Sequence, residues 1–333
     1  MKSLVLAAGL ALAAAPALAQ EVNVYSTRQP DLIDPLFERF TEETGIAVNV
    51  VFIDKGLIER LRAEGDRTPA DLVLTVDIAN LSAVVEAGVT QPVESAVIDA
   101  NIPAEFRDTD NQWFGLTARS RVVYASKERV EAGAITTYED LADPKWQGKL
   151  CTRSGMHNYN IALISAYIAH HGAEAAEEWV KGLKANLARK PQGNDRAQAK
   201  AIWSGECDIA LGNTYYMGLM LNDPEEAQWA DAVNVVYPVF EGGGAHMNVS
   251  GVAMTAAAPN RDNALKLMEF LTTEEAQHLY AELNYEFPLK EGVPFSETVA
   301  AWGEFEPDSI PLTEVASHRA EALRIVERTG YDE

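Results

Sequence analysis

Short β-branched runs alternate with amphipathic helical stretches over the first ninety residues, and this alternation restricts the fold more than any other feature. Glu21–Ser26, Ile46–Ile53 and Asp71–Val76 read as buried strands. Between them Leu32, Leu36, Phe37 and Phe40 recur at helical spacing and stop at Gly45. Leu57, Ile58 and Leu61 give a second helix closed by Gly65, and Leu81, Val84 and Val85 a third. Repeated βαβ units predict a parallel sheet with helices on both faces. The pattern returns downstream. Lys149–Arg153 and Cys207–Leu211 read as strands leading into helices, the first helix running from Tyr159 to His170. Val233–Val239 and Val249–Thr255 read as further strands. A helix opens at Asn260 or Arg261 with Leu265, Met268 and Leu271. Thr272–Glu275 reads as a capping box, and Leu312–Arg328 as a charged helix.

The start of the chain has the form of a cleavable export signal. Lys2 precedes an apolar run from Leu4 to Ala15, then Pro16 and Ala17-Leu18-Ala19. The run is too short to span a bilayer and keep anchoring residues, and no Cys at the cleavage point offers a lipid anchor. The expectation is a signal peptide at 1–19 and an exported chain from Gln20 or Glu21. That length suits about two domains without repeats or a long linker. The net charge of −23 repels nucleic acid and anionic lipid, so neither is expected as a partner. Cys151 and Cys207 are the two cysteines, and in an oxidising compartment such a pair is expected to form a disulfide.

Chemistry concentrates in Cys207–Tyr216. A buried strand ends at Gly212-Asn213, Thr214 is a candidate N-cap, and Tyr215 and Tyr216 then fall in a first helical turn. Free N–H groups and the positive end of the helix dipole favour phenolate there. Phenolate oxygen is a hard donor suited to Fe(III). Tyr159 repeats the arrangement, eight residues after Cys151 as Tyr215 is eight after Cys207. A Cys151–Cys207 bridge would set both helix starts facing one place. A single tyrosine is ordinarily packing; three at two equivalent helix starts are more than packing requires. No Ser elbow, supported Cys–His pair or paired metal-binding His motif points to an enzyme. Gly242-Gly243-Gly244 lacks a following Lys-Ser/Thr and reads as a loop or hinge. His157 and His246 have no ligand-spaced partner and read as structural or as supports behind the ligands, and His170-His171 as a helix end. Asp77 suits either a helix N-cap or the cleft wall.

On these segments the chain resembles the periplasmic ferric-iron-binding proteins of ABC transporters, the bacterial transferrins. The likeness is carried by Val24–Gln29, Trp113–Arg121, Cys151–Ser154, Asn158–Asn160, Gly193–Gln198, Gly212–Tyr216 and Gly251, and runs from about 21 to 330. It implies an α/β, two-lobed type II periplasmic binding fold with a central cleft. Residues 20–118 would form the first lobe and 119–246 the second. Residues 247–333 would return to the first, with the last helices packing across both. It implies Tyr159, Tyr215 and Tyr216 as ligands of Fe(III), and Arg119 as the cleft arginine facing the metal or its anion. Some relatives place a His or Tyr ligand just after the first strand, where this chain has Gln29-Pro30. Carbonate, bicarbonate or water would then complete the shell, with Arg28 and Gln29 as candidates to hold the anion. The cargo would pass from a soluble, monomeric periplasmic carrier to an inner-membrane ABC permease. The competing expectation keeps the fold and replaces iron by a small organic anion or a polyamine.

Overall fold

The computed structural model describes residues 20–53 and 55–333. The signal-peptide expectation falls on 1–19, outside the described residues. Strand β1 (Glu21–Ser26) lies between β2 (Ala47–Phe52) and β3 (Leu72–Thr75), parallel to both. The connecting helices are α1 (Asp34–Thr44), which stops on left-handed Gly45, and α2 (Leu57–Glu64). Leu36, Phe37 and Phe40 are buried together on the face of α1 that their spacing defines. Helix α3 (Ile78–Glu86), β4 (Thr90–Gln91) and α4 (Ala96–Asn101) follow.

The sheet then departs from the all-parallel expectation. Strand β5 (Phe114–Ser126) is buried along its whole length. Its first half pairs antiparallel with β9 (Met247–Thr255), from Phe114↔Val252 to Ser120↔Met247. Its second half pairs antiparallel with β7 (Ile209–Asn213), from Arg121↔Asn213 to Ala125↔Ile209, and with β8 (Val233–Val236). Strand β9 also runs antiparallel to β3. Local periodicity identifies a βαβ unit but not the direction of a strand returning from more than a hundred residues away. Strand β6 (Leu150–Cys151) is short and parallel to β7.

Helix α5 (Asn158–Asn186) is broken at Gly172, whose φ of 82° and ψ of 166° are not helical, so His170 and His171 end its first segment as expected. Each meets a carboxylate: His170 Nε2 lies 2.9 Å from Asp308 and His171 Nε2 2.6 Å from Glu139. Helices α6 (Asp195–Trp203), α7 (Thr214–Leu221), α8 (Ala227–Asp231), α9 (Arg261–Leu271) and α10 (Glu274–Asn284) come next. Strand β10 (Phe287–Pro288) pairs with β5, and α11 (Glu297–Ala300) follows. The expected capping box is not formed. Thr273, not Thr272, caps α10 by accepting from the Ala276 N–H, and Ala276 has no side chain to reach back. The single tail helix divides at His318 into α12 (Leu312–Ser317) and α13 (Arg319–Thr329).

Three apolar cores form among the described residues, one of them around the cysteines with Tyr124, Ile202, Met217 and Met220, and two larger. Of the larger two, one holds Val22, Phe40, Leu72, Trp113, Val249 and Leu267, and the other Tyr138, Ile164, Trp179, Phe240 and Ile325. The second lobe's core therefore includes residues of α13. Strand β5 runs through the junction. Among the described residues no helix is long and apolar enough to cross a membrane.

Candidate functional site

Tyr159 and Tyr215 occupy the same place in two helices. Asn158 and Thr214 are the first residues of α5 and α7, so each tyrosine is the second. His157 caps α5, its Nδ1 accepting the Tyr159 N–H at 3.2 Å, which is the structural role its isolation in sequence suggests. Thr214 is not the cap of α7; Asn213 precedes the helix, and its side chain turns instead to Arg121 at 3.0 Å. The phenol oxygens of Tyr159 and Tyr215 stand 3.0 Å apart, and the rings of Tyr215 and Tyr216 lie 4.3 Å apart. All three line a polar cavity of about 310 Å³ between the lobes.

The disulfide joins Cys151 to Cys207 with Cα atoms 5.9 Å apart. It ties β6, which leads to Tyr159, to a position two residues before β7, which leads to Tyr215. Below the tyrosines lies a buried network missing from the sequence expectations. Arg121 Nη1 donates to Asp195 Oδ2 at 2.7 Å, and its Nε and Nη2 donate to Asn160 Oδ1 at 3.2 and 2.8 Å. Arg153 Nη1 donates to Asp195 Oδ1 at 3.2 Å, and the Asn213 N–H to Oδ2 at 3.0 Å. Burial alone would raise the Asp195 pKa, but Arg121 and then Arg153 overcome it and hold the carboxyl below its usual range. These residues sit in segments quoted above, but only the folded chain brings the segments together.

Burial, then the neighbouring Tyr159 and Tyr216, push the Tyr215 phenol well above its ordinary pKa. Tyr216 is raised too, by burial and then by Tyr159. Without a cation, Tyr215 and Tyr216 keep their protons at neutral pH. Among the described residues no three His, Cys, Asp or Glu side chains gather to hold a metal.

The arginines divide. Arg28 is buried and paired with Glu286, donating also to Ser250 Oγ at 2.9 Å and to Glu286 Oε1 at 3.1 Å. Burial disfavours its charge, but Glu286 outweighs burial and the guanidinium pKa is raised. Glu286 carried no signal in the sequence, and it makes Arg28 less free to hold an anion. Gln29 is exposed at the cavity. Arg119 donates to the Val76 carbonyl and, at 3.4 Å, to Ser250 Oγ, with Cζ 5.8 Å from the Tyr159 ring centre.

Asp77 and Tyr285 each reach across the cleft. Asp77 caps α3 through the Asn80 N–H at 2.8 Å and accepts from Asn158 Nδ2 at 3.4 Å. Tyr285, at φ 58°, lays its ring where a Cβ on Gly218 of α7 would come within 2.1 Å of it. Its hydroxyl oxygen accepts from Asn222 Nδ2 at 2.6 Å.

His246 is 3% exposed beneath the site. Burial, then Arg119 and Arg121, push its pKa down to about 3. Its unfolded value is near 6.5. Above that pH it is neutral in both states and its contribution to stability is complete. As pH falls from about 6.5 to about 3 the unfolded chain takes the proton first. Stability should then fall by about 1.4 kcal/mol per pH unit from this group. Urea unfolding across that range should show the slope, and His246→Gln should reduce it; an unchanged slope in the variant would exclude His246 as a source.

The comparisons agree with this architecture. Residues 35–307 match the family described as bacterial extracellular solute-binding protein. The chain is 43% identical to iron uptake protein A1 of Synechocystis sp. over 96% of its length and 90% of the relative's. The Pasteurella haemolytica apo ferric ion-binding protein A structure superposes with TM-score 0.92 at 49% identity, covering 95% of this chain and 99% of that one. A Trichodesmium protein solved in complex with iron and citrate superposes with TM-score 0.88 at 39% identity, covering 93% and 99%. Its two-lobed frame, its junction cavity and these matches together place the chain in the family of bacterial extracellular solute-binding proteins.

Proposed function

We propose that this protein is a periplasmic carrier that captures ferric iron through Tyr159, Tyr215 and Tyr216 and delivers it to an inner-membrane ABC permease. The observation that carries the proposal is the convergence of three phenols from two helix starts in one interlobe cavity, with two oxygens 3.0 Å apart. Three phenolates neutralise Fe(III), and helix N-termini favour the charge they carry. The relatives' names support iron as the cargo. An oxyanion of the carbonate or bicarbonate kind, or water, would complete the shell beside Arg119. Reduction to Fe(II) weakens the match to phenolate and favours release.

The exported protein mixed with ferric citrate should develop a visible tyrosinate-to-iron charge-transfer band and retain iron through dialysis. Binding should release about three protons per ion, one from each phenol. A colourless protein that loses all its iron would overturn the proposal in favour of an organic anion or polyamine.

A further inference from the structure

The two tyrosine-bearing helix starts are spaced alike from their cysteines but are not built alike. Strand β7 runs straight into α7, so Tyr215 and Tyr216 follow the strand with no loop between. Strand β6 ends at Cys151 and α5 begins at Asn158, so Tyr159 is carried on a loop, residues 152–157. A loop holds a ligand only as firmly as its surroundings hold the loop. On one side, Asn160 Nδ2 donates to the Arg153 and Ser154 carbonyls, each at 3.1 Å. The other side is held by the residues that follow α13. Asp332 accepts from the Ser154 hydroxyl at 2.6 Å, the Gly155 N–H at 2.8 Å and the Met156 N–H at 3.4 Å. The Tyr331 hydroxyl lies 3.0 Å from Thr152 Oγ1, and a Cβ on Gly155 would come within 2.6 Å of the Tyr331 ring. Tyr331 is itself anchored in the second lobe's core.

We infer that Asp332 is a positioning residue for Tyr159: its carboxylate braces the loop that launches α5 and so sets where the Tyr159 phenol meets the cargo. This rests on the ferric reading of the cleft. One carboxylate takes donors from three successive residues, which fixes the path of the loop's backbone as well as its place. Without it the Gly155 N–H loses its acceptor. The Met156 N–H keeps Ser154 Oγ at 3.2 Å, but that hydroxyl has lost its own anchor. A metal site tolerates little displacement of a donor. A loosened loop should therefore weaken the ligand it carries and spare the pair on α7.

The test compares wild type, Asp332→Ala, Asp332→Asn and Arg328→Gln in the full protein. Ferric affinity is read from the charge-transfer band in competition with a hydroxamate chelator, and amide hydrogen exchange is followed in the iron-free protein. Asp332→Ala should lower ferric affinity by about 10-fold, the low end for a residue that supports a ligand without touching the metal. Exchange should quicken at Gly155, Met156 and the first turn of α5, and not in the first turn of α7. Asp332→Asn, which keeps one acceptor oxygen, should lie between. Arg328→Gln removes the 2.7 Å ion pair that joins α13 to Glu177 of α5 but leaves Asp332 in place, and should keep wild-type affinity. Wild-type affinity in Asp332→Ala, or an equal loss in Arg328→Gln, overturns the assignment. So does exchange that quickens alike in both first turns, which would mark a general loosening. Should Asp332→Ala fail to fold, wild-type affinity in Asp332→Asn overturns it instead. A wild-type protein that forms no coloured complex overturns the ferric reading itself, so the two failures are distinct.

Discussion

Tyr215→Phe should lower ferric affinity by more than about 100-fold while leaving the fold intact. Removing a partner that only orients a ligand typically costs 10- to 100-fold in metal affinity, so losing the donor atom should cost more. The fold should survive because the hydroxyl's hydrogen-bond partner is Tyr159, and phenylalanine keeps the ring against Tyr216. Tyr124→Phe is the matched control. Its hydroxyl is also buried but donates to the Asn213 carbonyl at 2.6 Å and not to another phenol. It should keep iron and lose about 1 kcal/mol of stability. Chelator competition and thermal unfolding of both variants separate the effects. Equal iron affinity in Tyr215→Phe and wild type would remove Tyr215 from the ligand set.

The second large effect belongs to the disulfide. Cys151 and Cys207 are 56 residues apart in sequence. Closing a loop of that size restricts the unfolded chain by about 4 kcal/mol in the chain-entropy account. Replacing both cysteines by serine should lower the unfolding temperature of the iron-free protein by on the order of 10 °C. Bound iron stabilises only the folded state, so the iron-loaded variant should regain part of the loss. Matching unfolding midpoints for wild type and variant would show that the bridge constrains nothing the fold has not already fixed.

Much of the site was legible because its parts are local. A strand, a turn and a tyrosine one residue into a helix can be read twice in one chain, and equal spacing from each cysteine aligned the two copies. The bridge itself followed from having two cysteines in a chain expected to be exported. The buried ion network was not legible. Arg121, Arg153 and Asp195 come from three separated segments, and nothing near any one of them names its partner. Glu286 was hidden for the same reason, 258 residues from the arginine it neutralises. Strand β5 escaped because Thr117, Arg119, Ser120 and Arg121 interrupt its apolar pattern, although all four are buried. They are tolerated there because the strand's middle faces the cavity and the ion network instead of an apolar core. The parallel sheet was overextended because direction is set by how a chain returns, which no short window contains.

Strand β5 hands its ladder from β9 to β7 between Ser120 and Arg121 with no gap in its own backbone. Separation of the lobes can thus be absorbed by twisting a continuous ribbon, without rupturing a sheet. The resistance to parting then falls on side chains that reach across, among them Asn158 to Asp77, Tyr285 to Gly218 and Asn222, and Tyr237 stacked on Phe305 at 4.4 Å. Cargo in the cavity can govern the balance between shut and parted forms to the extent that its binding free energy differs between them. Arg119 and Arg121 flank the handover on the same face of the ribbon, where a small torsion re-aims both guanidiniums at once.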